Sequence, residues 1–340
     1  MVSSHFTQKI PFCPIFGSME FKTTIQPHQG LFEISHDSRI MLIGSCFSNE
    51  IGHKLAQSGF HTLINPFGTL FNSYSIGKSL TTTVRNKKFD SSDFFENHGI
   101  WHSYKLHSKF SGLHLNDSIE KINSSIEEAN KFIFNTDVLI ITLGTAWVYE
   151  LKENQKIVAN CHKMPQQLFT RRKLGLNEII SEYTHLIEHL KGANNKLKII
   201  LTISPVKHLR DGFVENNWSK STLNISAHEL VRRFDFVDYY PAFEIMSDDL
   251  RDYRFYKNDM LHPNELATQY IYEHLQNAYC TDETKSISKE FFQLSKSSEH
   301  KVMNVGSIEN AKFINDFKSR AERLMHVNSH KVNQLLQTIN

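Results

Sequence analysis

Two short segments of this chain carry residue types and spacings suited to nucleophilic catalysis. The first is Gly44-Ser45-Cys46-Phe47-Ser48-Asn49. It follows the apolar run 39–43, so a strand is expected to stop at Gly44. A helix then follows over 49–57, with Ile51, Leu55 and Ala56 on one face. Side chains at the start of such a helix meet free N–H groups and the positive end of its dipole. A cysteine there is favoured as a thiolate, and the same N–H groups can hold an oxyanion. The plainer reading is a small buried cysteine beside a serine N-cap. The second segment is Asn258-Asp259-Met260-Leu261-His262-Pro263-Asn264. An aspartate three residues before a histidine can reach back to one ring nitrogen. That fixes the tautomer and leaves the other nitrogen free as a base. An aspartate near a helix start also serves as a cap, so D-x-x-H gains its meaning from where the fold puts it.

The elements that must position these residues alternate. Strands are expected at 39–43, 61–64, 137–143, 197–203 and 236–239. Helices are expected at 49–57, 74–83, 117–134, 174–190, 219–234 and 263–279, the last with Pro263 at its first position. Two of the strands are apolar throughout, which indicates a parallel sheet covered on both faces. The expected fold is therefore α/β, a three-layer α/β/α sandwich around a central parallel sheet. In such folds ligands bind beyond the carboxyl ends of the strands, which directs attention to 44–47, 65–68, 144–147 and 204–208. The aromatic, His-rich stretch 93–110 is expected to be a hairpin insertion. Residues 1–280 read as one domain with insertions around 90–115 and 146–172. Residues 281–340 read as an appended helical segment with a stripe at Ile314, Phe317, Ala321 and Leu324.

Taken together, the two segments resemble the GSCFA-domain proteins, through Gly44-Ser45-Cys46-Phe47-Ser48, which ends in Ser in place of Ala. These are similar to a divergent branch of the SGNH/GDSL hydrolases, α/β proteins with esterase, lipase or acyltransferase activity. The resemblance spans about residues 22–280. It implies an SGNH/flavodoxin-like sheet, with Cys46 in the nucleophile column and Ser45 beside it. Asp259 and His262 match the D-x-x-H block. Gly68 matches the second-block glycine, an oxyanion donor through its N–H. Gly144-Thr145-Ala146 falls on the third block, G-x-N, where Ala146 replaces the asparagine donor. Losing one such donor can cost ~10²–10³ in rate. Thr145, Asn65 or a residue from elsewhere is then expected to substitute. Cys161-His162-Lys163 also fits the family pattern, as a loop able to close over substrate with a base, a donor and a charge. His208, after the strand at 197–203, is a candidate for the same crevice. Ordinary structural roles compete for both.

Composition narrows the field further. The chain has 340 residues, 40% hydrophobic and 22% charged, with a formal net charge of +2. That permits a sizeable core and gives no electrostatic footprint for nucleic acid. Cysteines 13, 46, 161 and 280 form no C-x-x-C pair, which argues against a zinc ribbon and for a reducing cytoplasm. No apolar run reaches the ~20 residues of a spanning helix, so no membrane insertion is expected. Gly77-Lys78-Ser79 lacks the earlier glycine of a phosphate loop, since Asn72 stands there, and no G-x-S-x-G or G-x-G-x-x-G occurs. His185 and His189 lie four apart without a third metal ligand in view. No cofactor or metal is expected.

The function expected is an SGNH-like acyl-ester hydrolase or O-acyltransferase acting on small acyl esters, such as O-acetylated carbohydrate. The mechanism is a Cys/Ser-His-Asp acyl-enzyme. The alternative is a non-catalytic carbohydrate- or acyl-group-binding module on the same fold. The partner is then a small ester or carbohydrate, with the C-terminal helix offering a further contact surface.

Overall fold

The structure is a computed structural model that describes residues 23–299 and 307–339. Five parallel strands form the central sheet: β1 (Arg39–Gly44), β2 (His61–Ile64), β3 (Val138–Leu143), β4 (Lys198–Ile203) and β5 (Val237–Tyr240), in the spatial order β5-β4-β3-β1-β2. All five are the strands expected from the sequence, within one or two residues at their ends. Strand order reverses between β1 and β3, and that switch point opens a crevice at the carboxyl edge.

Side chains alternate across the pleat and feed two cores. Met41, Ile43, Leu139, Ile141, Leu201 and Ile203 face one side. There α2 (Ser73–Val84), α3 (Leu115–Ile133), α4 (Leu176–Ala193) and α5 (Phe213–Arg233) cover them. Ile40, Leu42, Val138, Ile140 and Ile200 face the other side, under α1 (Cys46–Gln57) and α6 (Glu265–Tyr279). Covered on both faces, β3 is buried from end to end and apolar at all positions but Thr142.

Several boundaries differ from expectation for local reasons. Helix α1 starts at Cys46 rather than Asn49, because Ser45 caps it. Helix α6 starts at Glu265, since the Asn264 carboxamide accepts from Ala267 N at 3.0 Å and caps it there. Pro263 is therefore outside the helix, bridged to Tyr256. Helix α5 begins six residues early, at Phe213. Residues 95–102 form a hairpin whose His98-Gly99 turn has φ of 52° and 77° at its two central residues, as a tight I′ turn needs. Trp147–Leu151, Ile157–Val158 and Phe169–Lys173 make a small antiparallel sheet over the crevice side.

Three C-terminal helices follow: α7 (Asp282–Ser298), α8 (Ile308–Leu324) and α9 (Ser329–Ile339). The expected stripe along 308–339 is broken into two helices at Asn328, whose side chain accepts from Lys331 N and donates to Gly59 O. Phe291, Leu294, Phe317 and Leu324 give these helices their own apolar cluster. Phe291 stacks with His36 against the main domain. Cys13 lies outside the described residues.

Candidate active site

Gly44 ends β1 with φ at +136°, and a Cβ there would lie 2.1 Å from Thr142 O. Only glycine fits a turn this close to β3. The next residue, Ser45, is fully buried, and its hydroxyl accepts from Phe47 N at 3.3 Å. It is the N-cap of α1. Cys46 is the first residue of the helix proper and is half-buried, with a free thiol. Burial pushes this thiol above its usual range. The N–H groups of Cys46 and Phe47 and the Lys220 charge pull it back down, while Glu50 pushes it up.

The turn after β2 braces this segment. Asn65 Oδ1 accepts from Gly44 N at 2.8 Å, and Asn65 Nδ2 donates to Asn49 Oδ1 at 2.6 Å. Asn49 in turn donates to Thr69 Oγ1 at 3.2 Å. The oxygen of Asn65 and one of the two N–H groups on its Nδ2 thus hold the β1–α1 turn. Gly68 corrects the sequence expectation. Its N–H donates to Asn65 O at 2.8 Å and closes a turn. Thr145 N donates to Phe71 O at 2.8 Å. The Thr145 hydroxyl accepts from Trp147 N and lies 3.1 Å from Ser219 Oγ.

The D-x-x-H segment forms the loop expected of it. Asp259 Oδ2 lies 2.6 Å from His262 Nδ1, and Oδ1 accepts from the N–H groups of Leu261 and His262 at 2.9 and 3.0 Å. These backbone bonds, and then the imidazole, hold the carboxyl down at about 2. With Nδ1 engaged, Nε2 is the ring atom left for chemistry. The loop is tied to the crevice on two sides. Lys207 N, after β4, donates to Leu261 O at 3.1 Å. Lys257 N donates to His262 O at 2.7 Å, and Lys257 Nζ reaches Glu50 on α1 at 2.9 Å. Phe255 and Tyr256 pack in the same apolar cluster as Cys46. The aromatic and charged stretch 248–256 therefore braces the histidine loop chiefly by packing and backbone bonds.

A cavity of about 740 Å³ opens at the carboxyl ends of β2, β3 and β4. Thr69, Thr145, His208, Trp147, Tyr149 and Arg210 are among the residues that line it. Cys46 and His262 are not among its lining residues. His208 lines this cavity. Burial, then the Lys220 and His262 charges, lower its pKa to about 3, so it is neutral and its Nε2 has no partner. Lys163 lines the cavity but His162 does not. His162 is buried, with Nε2 bonded to Ser103 O at 2.7 Å and its ring 4.7 Å from that of His102. It holds the loop in place instead of facing the cavity. Among the described residues, no group of three His, Cys, Asp or Glu side chains could hold a metal ion. Nor is any helix there long and apolar enough to cross a membrane.

One residue escaped the sequence reading altogether. Lys220 on α5 is 1% exposed, and its Nζ donates to Gly144 O and Ser204 O at 2.8 and 2.6 Å. The signal was present: Lys220, Leu223, Ala227 and Leu230 follow helical spacing, so a lysine sits on an apolar stripe. Such a lysine is seldom buried without a role.

Comparison with known proteins returns distant matches among solved structures. A carbohydrate esterase family 3 structure from Talaromyces cellulolyticus shares 12% identity, covering 76% of this chain and 98% of its own, with a TM-score of 0.34. A candidate GDSL-like lipase from Parabacteroides merdae ATCC 43184 shares 13% identity over 75% of this chain and 98% of its own, at 0.39. An acetyl xylan esterase (Est2A) from the rumen bacterium Butyrivibrio proteoclasticus shares 9% over 72% and 65%, at 0.38. No curated protein matches the sequence. The sequence profile of the GSCFA family matches residues 39–275, well over half of the protein, and the chain belongs to that family.

Proposed function

We propose that this protein is an acyl-ester hydrolase or O-acyltransferase that works through a Cys46 acyl-enzyme. The observation that carries this reading is the Asp259–His262 pair at 2.6 Å, fastened beside the helix N-terminus that begins with Cys46. In the proposed reaction Cys46 Sγ attacks the ester carbonyl carbon, and His262 Nε2 takes the thiol proton. The same nitrogen then protonates the departing alkoxide. Asp259 keeps the proton on Nδ1 and orients the ring. The Cys46 N–H, at the positive end of α1, supports the oxyanion. Ser45 is set aside as nucleophile, because its hydroxyl is sealed and serves as the cap.

A thioester passes its acyl group to water or to an alcohol, so hydrolysis and transfer share this first half-reaction. The cavity has the volume of a small-molecule site. Its Trp147 and Tyr149 rings suit the apolar face of a sugar. O-acetylated carbohydrate is the substrate class proposed. A second reading, binding of such a ligand without turnover, draws on the spent Gly68 N–H and the missing side-chain donor at Ala146.

Brief exposure to p-nitrophenyl acetate followed by peptide mapping separates the two. The expected result is acetylation at Cys46, absent in Cys46→Ala and slowed about 10²-fold or more in His262→Ala. Acetyl groups spread over surface lysines, indifferent to both substitutions, would favour the binding module.

A further inference from the structure

Strand alternation decides what the cavity meets. Trp147–Leu151 pairs antiparallel with Phe169–Lys173, with Tyr149 opposite Arg171 and Glu150 opposite Thr170. Residues directly opposite share a face of the sheet, and their chain neighbours take the other. Trp147, Tyr149, Phe169 and Arg171 therefore share one face, and all four line the cavity of about 740 Å³. Glu150 and Arg172 fall on the other face, where Arg172 is bonded to Glu150 and Glu178 at 2.8 Å. The period of two thus keeps Glu150, the one acid of these two strands, off the cavity.

The cavity side is cationic. The Arg171 guanidinium lies 4.9 Å from the centre of the Tyr149 ring and 5.2 Å from that of Trp147. Arg210, in the short turn after β4, lies 4.9 Å from the same Tyr149 ring. The two guanidiniums are therefore at most twice that distance apart. Lys163 lines the cavity too, from the loop after Ile157–Val158. Among the described residues no aspartate or glutamate lines it. The chain as a whole balances 38 Lys and Arg against 36 Asp and Glu, so the bias is local. Like charges gathered in one cleft focus a positive field there, which draws an anion.

Arg210 is placed to receive one. Its ring contact holds the guanidinium in a defined plane. Among the described residues neither Arg210 nor Lys163 has a carboxylate partner. A guanidinium fork matches two oxygens of a carboxylate or a phosphate. His208 lines the same cavity, and its Nε2 is buried without a partner. A ligand hydroxyl would supply one.

We propose that this cavity is selective for anions: its ligand carries a carboxylate or phosphate, received by the Arg210 fork, with Arg171 and Lys163 lining the same space. The anion stands on the cavity alone. That a sugar bears it rests on the carbohydrate reading above, whose substrate class then narrows to acidic sugar esters.

The test is an NMR titration of the full chain labelled with ¹⁵N-tryptophan. The Trp147 indole reports on the cavity, and Trp101, which does not line it, is the reference. The ligands are D-glucuronate, D-glucose 6-phosphate and D-glucose, with acetate and inorganic phosphate as anions lacking the sugar. At least one charged sugar should shift Trp147 at about tenfold lower concentration than glucose does. Comparing the two charged sugars tells carboxylate from phosphate. Raising salt from about 0.05 M to about 0.5 M should weaken the charged sugar and leave glucose unchanged. Arg210 is exposed, so Arg210→Gln should fold and bind the charged sugar about tenfold more weakly, and Arg210→Lys should recover only part of the loss. The proposal is overturned if glucose matches both charged sugars, if Arg210→Gln binds them as the wild type does, or if none of the five ligands shifts Trp147. Acetate or phosphate binding as tightly as the charged sugars would uphold the anion site and refute the carbohydrate reading. Failure of the acyl-transfer reading is recorded separately, by the absence of Cys46 acetylation with the neutral p-nitrophenyl ester.

Discussion

Asn65→Ala tests whether the turn after β2 is what fixes the Cys46 segment. Asn65 is 2% exposed, with its Oδ1 2.8 Å from Gly44 N and its Nδ2 2.6 Å from Asn49 Oδ1. Its φ of +43° lies in the left-handed region. Removing the carboxamide strands the Gly44 N–H in a sealed turn, at about 1–3 kcal/mol. Asn49 is half-buried and loses one partner that water can replace, so its share is about 0.5 kcal/mol. Alanine at positive φ adds roughly 1 kcal/mol over asparagine. The sum is about 2.5–4.5 kcal/mol, or a fall in Tm of roughly 5–9 °C at about 2 °C per kcal/mol for a large chain. Asn65→Gly separates the contributions. It loses the same hydrogen bonds but accepts the backbone angle, so it should recover about 1 kcal/mol. Urea midpoints and thermal unfolding followed by circular dichroism measure both variants. If alanine and glycine each fall within about 0.5 kcal/mol of the wild type, the Gly44–Asn65–Asn49 chain does not hold the turn and the reasoning fails.

Two further outcomes follow from the site. Ser45→Ala should lose about 1 kcal/mol of stability, as an N-cap does, while keeping Cys46 acetylation; abolished acetylation in a folded Ser45→Ala would return the nucleophile to Ser45. Stability should also fall on acidification from about pH 6.5 towards 3. His208 has a folded pKa of about 3, below its unfolded value, so in that window the unfolded chain binds a proton that the folded chain refuses. Burial lowers His36, His162 and His274 in the same direction. His208→Leu, at a ring whose Nε2 has no partner, should therefore lose less of its urea midpoint between pH 7 and pH 5 than the wild type does. An identical loss in both proteins would remove His208 from the account.

The sequence by itself determined the features that depend on nearby residues. Runs such as Val138–Leu143 are apolar because both faces of a parallel strand are covered, and that pattern is visible without coordinates. The Asp259–His262 bond spans three residues, so a tight loop was enough to foresee it. The turn at Gly44 was foreseen from the apolar run that stops there. Tertiary structure decided wherever a group's partner lies far along the chain. Gly68 matched a motif by position, yet the direction of its N–H was set by closure of the turn on Asn65 O. Asn65 was expected as an oxyanion donor from its place after β2, but only the fold showed that Gly44 and Asn49, 21 and 16 residues away, engage its oxygen and one of its two N–H groups. His162 offered a base, but Ser103 O, 59 residues distant, anchored it away from the cavity. Lys220 shows the same limit most plainly. Spacing could place it on the buried face of α5, but only the convergence of two strand ends, 76 and 16 residues away, gave its ammonium the carbonyls of Gly144 and Ser204.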